Sequence, residues 1–317
     1  MGLTPAQQRT LEDVMGAGRE RPRFPQDLDA RLRERLERRL EPAADALGEA
    51  RQLWLTKGRL VNLHTRCEGF YLADELGEGV FTYGSALAVG KVVHKSVEIG
   101  VYARDLGEAE LAERSLERLR EQDERFEEYV GLLDEVERAE LLGEAVRQLS
   151  WFRSVFPPLE RSWNPVVEWP LRVELAGGRV VLSARPDLVL GAADPQDPMR
   201  ARRLVLELKG GQERPEQDDD ARFYALVMAL HHGVPPFRVV TVNLQGGTFR
   251  PHEVTEDLLE SALRRVGDGA VRAAALLAGE EPRLNPGKWC EWCPRAQTCP
   301  ESSVRAGGRG DRGGSSP

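Results

Sequence analysis

The run Val180-Val-Leu-Ser-Ala-Arg-Pro-Asp187-Leu-Val-Leu190, followed after a loop by Leu204-Val-Leu-Glu207-Leu-Lys209, decides how the rest of the chain is read. Both segments are dense in branched apolar residues, the composition of strands. Side chains alternate across a strand, so Glu207 and Lys209 share one face. If the two strands pair, Asp187 converges with Glu207 and Lys209 on one point of a sheet. Two carboxylates and a backbone carbonyl are hard oxygen ligands suited to Mg²⁺ or Mn²⁺. A lysine ammonium beside them can orient a water and stabilise a pentavalent phosphate.

Outward from this pair, Leu171 to Leu175 reads as a further strand joined to Arg179–Leu190 by a turn at Gly177-Gly178, and Gly191 to Arg202 is a longer loop. Downstream, Asp218 to His232 is expected as a helix ending at Gly233. Strands at Phe237–Leu244 and Thr248–Val254 follow, then a helix over Glu256–Leu277. Upstream, Gly84 to Arg104 reads as a helix. Leu53 to Leu76 reads as a helical stretch carrying Cys67. Ala30 to Leu40 reads as an Arg-rich amphipathic helix with Leu32, Leu36 and Leu40 on one stripe. Its arginines are expected to face water or, in the sharper reading, phosphate.

The 317 residues carry 44 Lys+Arg against 52 Asp+Glu, a formal charge of −8, with 30% charged and 41% apolar residues. This composition fits a globular protein and excludes a collagen-like or wholly disordered chain. No stretch reaches the roughly 18 uninterrupted apolar residues of a bilayer span, and the N-terminus lacks the apolar stretch of a secretory signal, so a cytoplasmic protein is expected. The acid is local: Asp105 to Gln148 holds 15 acidic and 6 basic residues, a net of −9 that leaves +1 for the rest. The segment Leu111–Leu149 reads as one or two solvated helices, so the remaining surface is free to carry basic patches for a nucleic-acid partner.

Arg185-Pro-Asp187 followed by Glu207-Leu-Lys209 resembles the PD-(D/E)xK nuclease signature, and the preceding helix with Gly90, His94 and Glu98 resembles its RecB-like branch. The resemblance implies an α/β, restriction-endonuclease-like core, a small mixed sheet flanked by helices. It also implies His94 as a further metal ligand alongside Asp187, Glu207 and the Leu208 carbonyl, with Lys209 positioning the water or phosphate. The family's next helix usually carries Gln-x-x-x-Tyr. Here Asp220-Ala-Arg-Phe-Tyr224 keeps the tyrosine, a candidate catalytic residue, and replaces the glutamine by an acid on the same helical face. Taken singly, a Glu-x-Lys strand is common at solvated edges, a lone histidine on an apolar helix is more often a satisfied core residue, and Tyr224 alone reads as core packing. The order of the elements together is what points to a nuclease site.

Cys290, Cys293 and Cys299 are spaced C-x₂-C-x₅-C near the C-terminus, and Cys67 stands far upstream. Four cysteines are too few for a disulfide scaffold, and this spacing suggests a metal or cluster site. Zinc accepts four thiolates as well as a [4Fe-4S] cluster does, and spacing alone does not choose. One cysteine before the nuclease core and three after it is similar to the iron–sulfur staple of RecB-like nucleases, among them the AddB nuclease domain and the CRISPR-associated exonucleases. The resemblance therefore implies a structural [4Fe-4S] cluster, with Trp289 and Trp292 either shielding it or packing in the core.

The expected organisation is an N-terminal helical region over 1–50, a nuclease domain over 51–300 with a helical insertion at about 105–150 and the cysteine cluster at its end, and a disordered Gly-rich tail over 301–317. The expected activity is Mg²⁺- or Mn²⁺-dependent hydrolysis of DNA, as an exonuclease on single-stranded ends, in repair, CRISPR adaptation or phage defence, with possible helicase or defence partner proteins. Two alternatives stand beside it: a non-catalytic DNA-binding or assembly module that keeps the fold, and a zinc-stapled interaction protein whose carboxylates are incidental.

Overall fold

The computed structural model describes residues 2–48, 51–79, 82–211 and 213–302, so the expected tail lies outside the described residues except for Glu301 and Ser302. The chain opens with α1 (Pro5–Arg9), whose Thr4 caps it by accepting from the Gln7 amide, and continues through a π-helical turn at Thr10–Val14. Helix α2 (Leu28–Leu47) buries Leu32, Leu36 and Leu40, the stripe expected from their i, i+4 spacing. Leu53–Leu55, expected as helix, forms instead a short strand, β1. Three residues are too few to show a period, and the pairing that makes them a strand comes from far along the chain.

Helices α3 (Lys57–His64) and α4 (Glu68–Glu75) follow, with Cys67 at the N-cap of α4. Helix α5 (Ser85–Tyr102) matches the stretch read from sequence. The acidic segment forms three helices, α6 (Glu108–Gln122), α7 (Glu124–Leu132) and α8 (Glu135–Val155), in place of one or two. Asp123 ends α6 and caps α7, and Asp134 caps α8 directly after Leu133 closes α7, which is why the run breaks where it does. These helices are not solvated all round. Leu111, Leu116, Phe126, Leu141 and Leu149 are buried, and Ser96 of α5 donates to Ser115 of α6 at 2.9 Å.

Beyond α8 come β2 (Val166–Val167), β3 (Leu171–Leu175), β4 (Val180–Ala184), β5 (Leu188–Leu190) and β6 (Leu204–Lys209). The chain then forms α9 (Gln217–His232), β7 (Arg238–Asn243), β8 (Thr248–Glu253) and α10 (Glu256–Leu277). Gly177 and Gly178 both take the left-handed conformation that the β3–β4 turn requires. The single strand expected from Arg179 to Leu190 is broken at Arg185-Pro186-Asp187, where proline withdraws a backbone donor.

Two sheets form among the described residues, ordered β1-β4-β3 and β2-β5-β6-β7-β8. In the larger one β6 runs parallel to β7, and the other pairs are antiparallel. Strands β6 and β7 are buried nearly throughout, as expected where both faces of a sheet are covered. The chain divides into two compact units. One comprises Met1–Arg35, Thr82–Val173 and Ser183–Leu263 and holds the larger sheet; the other comprises Leu36–Phe81, Glu174–Leu182 and Arg264–Pro317 and holds β1, α3, α4 and the cysteine-rich segment. No helix among the described residues is long and apolar enough to cross a membrane.

Candidate active site

Strands β5 and β6 pair antiparallel with Leu188 opposite Leu206. One step further along this register Asp187 faces Glu207, so the interruption between β4 and β5 at Pro186 places the first carboxylate beside the second. The Asp187 Oδ2 accepts from the Leu208 amide at 2.7 Å. Lys209 presents its carbonyl to the β7 side, where Leu244 N donates to it at 2.8 Å. Polar backbone groups alternate sides along a strand, so the Leu208 carbonyl faces the open side with its amide, next to Asp187.

The other Asp187 oxygen, Oδ1, lies 3.1 Å from His94 Nδ1 on α5. A third group completes this cluster: one ligand atom each from His94, Glu168 and Asp187 fall within 4.8 Å of one another. Glu168 was not among the residues singled out from sequence. It follows the two-residue edge strand β2, takes a left-handed backbone (φ 48°), and its amide donates to the Asp187 carbonyl at 3.0 Å. A non-glycine residue in that region costs of order 1 kcal/mol, and such strain gathers at functional sites. The available signal was an acid between apolar residues in Val166-Val-Glu168-Trp-Pro170, but a two-residue strand has no readable period.

Burial pulls the His94 imidazole down, yet the Asp187 carboxylate, with Glu207 and Glu168 behind it, outweighs this and leaves it raised. Burial, then the Asp187 charge, raises Glu168. Lys209 Nζ sits between two carboxylates, 3.0 Å from Glu207 Oε1 and 2.8 Å from Asp220 Oδ2. Asp220 thus reaches the lysine directly from α9. Tyr224, one turn on, is buried and donates to the Arg185 carbonyl at 3.1 Å. Burial, with the Glu207 and Asp187 charges, holds its phenol well above the ordinary range, so it remains a donor. His94, Asp187, Glu207, Leu208, Lys209 and Tyr224 therefore meet within one unit.

Ligand atoms of one ion at about 2.1 Å are separated by at most about 4.2 Å, and the His94–Glu168–Asp187 grouping is close to that size. One imidazole nitrogen with carboxylate oxygens is a donor set that fits Mn²⁺ or Mg²⁺.

In the other unit, Cys67, Cys290, Cys293 and Cys299 line one cavity of about 220 Å³. Burial raises the Cys293 thiol above its ordinary value, and the other three cysteines raise it further. Trp289 lines the same cavity, its indole donating to the Asn285 carbonyl at 2.8 Å. Trp292, expected to shield or pack, is half exposed. The segment is anchored by Glu68, which accepts from both Arg272 and Arg283, and by Glu78, which accepts from Arg295.

Residues 58–300 match the family model described as the PD-(D/E)XK nuclease superfamily. Among solved structures, a crystal structure of a proposed exonuclease from Eubacterium rectale is similar in fold, with a TM-score of 0.50 and 14% identity, over 83% of this chain and 91% of that one. No curated protein matches the sequence.

Proposed function

The chain belongs to the PD-(D/E)XK nuclease superfamily, and from that premise we propose that it is a metal-dependent DNA exonuclease acting on single-stranded ends, with residues 51–300 as its nuclease domain. The observation that carries this reading is the convergence of one ligand atom each from His94, Glu168 and Asp187 within 4.8 Å of one another, beside a lysine held at 3.0 Å from Glu207. His94, Glu168, Asp187, Glu207 and the Leu208 carbonyl would hold Mg²⁺ or Mn²⁺. Such a cation supplies positive charge to the scissile phosphate and acidity to a water.

The protein's own groups set the geometry. The Leu208 amide fixes one oxygen of Asp187, which leaves the other directed at His94. Lys209 offers a compact ammonium to a phosphate oxygen or to the attacking water, and its charge stabilises the extra negative charge of the transition state. Asp220 and Glu207 hold that ammonium from two sides. Tyr224 ties α9 to the backbone at Arg185, two residues before Asp187. The exonuclease name of the solved relative supports the choice of ends over internal sites.

The four cysteines are read as ligands of a structural [4Fe-4S] cluster, a reading supported by their lining one cavity together. Iron and sulfide analysis of the purified chain, against zinc content, separates cluster from zinc.

The deciding experiment is digestion of end-labelled single- and double-stranded DNA with Mg²⁺ or Mn²⁺, by the wild type and by Asp187→Ala and Lys209→Ala. Loss of cleavage in both variants, with circular dichroism unchanged, is expected. Undiminished cleavage by Asp187→Ala would remove the mechanism.

A further inference from the structure

Two arginine-rich segments, Arg19-Glu-Arg-Pro-Arg23 and Arg200-Ala-Arg-Arg203, lie 177 positions or more apart in sequence and meet in the same unit as the larger sheet. Arg23 and Arg200 form an antiparallel bridge, extended by Phe24 N donating to Met199 O at 3.0 Å and Ala201 N to Pro22 O at 2.9 Å. The same register sets Arg21 opposite Arg202. Like charges placed directly opposite destabilise an antiparallel pair, and here the arrangement repeats twice.

Neighbouring acids offset only part of this. Asp197 is shared by Arg23 at 2.9 Å and Arg200 at 3.3 Å, and Asp194 is shared by Arg200 at 3.4 Å and Arg202 at 3.9 Å. Arg19 reaches Asp13 at 3.7 Å with both side chains largely exposed. Arg21 is oriented by carbonyls, donating to Gly16 O at 2.7 Å and Met15 O at 3.2 Å, with its guanidinium 3.9 Å over the Phe237 ring. Burial, then the Arg238 and Arg202 charges, lowers it below the ordinary arginine range.

These side chains border a cavity of about 550 Å³ whose remaining wall includes Trp163, Leu190, Leu204 and Phe237. In it and an adjoining cavity, four arginines (Arg19, Arg21, Arg200 and Arg202) face two carboxylates, Glu20 and Asp194. The site is separate from the carboxylate cluster. Leu190 and Leu204 on its wall stand three positions from Asp187 and Glu207, about 10 Å along their strands at 3.3 Å per residue.

We propose that this cavity is a nucleotide site, in which Arg19, Arg21 and Arg202 hold a phosphate and the base lies against Trp163 and the apolar wall. Guanidinium groups pair with phosphate through two parallel donors, and an indole offers a stacking surface to any base. A bound phosphate also removes the repulsion between Arg21 and Arg202. The bound nucleotide is either a free nucleoside monophosphate or the phosphorylated end of a strand; the recognition chemistry is the same. The assignment does not depend on phosphodiester cleavage.

The test is isothermal titration of the full chain, without divalent cations, using three probes: deoxyadenosine 5′-monophosphate, deoxyadenosine, and a 5′-phosphorylated deoxyadenosine tetranucleotide. At least one phosphorylated probe is expected to bind and the nucleoside not to bind. Arg19→Gln/Arg202→Gln weakens binding by about tenfold or more. Trp163→Leu, on the apolar wall, weakens it as well, and either result carries the test if the other variant does not fold. Binding of the monophosphate assigns a free nucleotide, and binding of the tetranucleotide alone assigns a strand end. The proposal is overturned if neither phosphorylated probe binds, if deoxyadenosine binds equally well, or if the folded variants bind like the wild type.

Discussion

Lys209 is gripped by two acids, Glu207 and Asp220, and the second has consequences for its position. Asp220 is 8% exposed and lies 2.8 Å from the ammonium, so it draws Lys209 away from sole pairing with Glu207. Without it, the lysine collapses onto Glu207, a proposed cation ligand, and competes with the cation for that oxygen. Asp220→Ala is therefore expected to lower kcat about tenfold and to weaken Mn²⁺ affinity, with KM for DNA little changed. Asp220→Gln should recover most of the rate. Wild-type kinetics in Asp220→Ala would show that Lys209 needs no second anchor. Glu168→Gln keeps size and removes charge, and is expected to weaken Mn²⁺ binding about tenfold or more, read by titration calorimetry. At this scale the sequence showed what regular spacing can show. Glu207 and Lys209 two apart on a strand are legible, and so is Asp187 beside a proline. Glu168 was not, because its place depends on a left-handed turn and a two-residue edge strand.

Among the elements, α5 shows the tension between helix stability and access to the site. Gly90 stands one turn before His94 on the same face, and a Cβ added there would meet nothing within 4 Å. Glycine in a helix interior costs roughly 0.5–1 kcal/mol relative to alanine. Gly90→Ala is accordingly expected to stabilise the protein by about that amount, seen as a raised urea midpoint with an unchanged slope. If the bare backbone beside His94 is where DNA approaches, the same variant should raise KM; an unaltered KM would mean that the glycine leaves access unaffected. Helix α9 poses no such conflict: Asp218, Asp219 and Asp220 sit in its first turn, favoured by the helix dipole, and pair with Arg250, Arg222 and Lys209. Periodic elements such as α5, α9, β6 and β7 were legible because their residues repeat at 3.6 or cluster as continuous apolar runs. Leu53–Leu55 was not, since its strand character comes from pairing with Val180–Leu182. The acidic helices were read as solvated because charge dominates their composition, although Leu111, Leu116 and Leu149 form a buried face.

Across the whole molecule, the unit that holds the cysteines has two tethers on the same stretch of chain. Cys67 shares a cavity with Cys290, Cys293 and Cys299, and its neighbour Glu68, 2% exposed, accepts from Arg272 and Arg283. Burial would raise the Glu68 carboxyl, but the hydrogen bonds from the two arginines prevail and hold it at about 2, below its ordinary 4.5. A depressed carboxyl stabilises the fold fully above its unfolded value and loses that contribution as pH falls from about 4.5 toward 2. The acid-unfolding slope in that window should therefore flatten in Glu68→Gln, and a variant as pH-sensitive as the wild type would show that the clamp contributes little. Because both tethers close the same loop of more than 200 residues, either one retains most of the loop-closure entropy when the other is lost. Glu68→Gln leaves two arginines without their buried partner and is expected to cost about 3 kcal/mol; Cys290→Ser should cost several kcal/mol if the thiolates bind a metal group. The double variant is expected to lose at least about 1 kcal/mol more than the two together, because only then are both tethers at the start of α4 gone, leaving the segment from Arg283 to Cys299 to weaker anchors such as the Arg295–Glu78 pair. Urea unfolding of the four proteins gives the coupling directly, and losses that add within about 0.5 kcal/mol would mean the ion clamp and the cysteines restrain the chain independently.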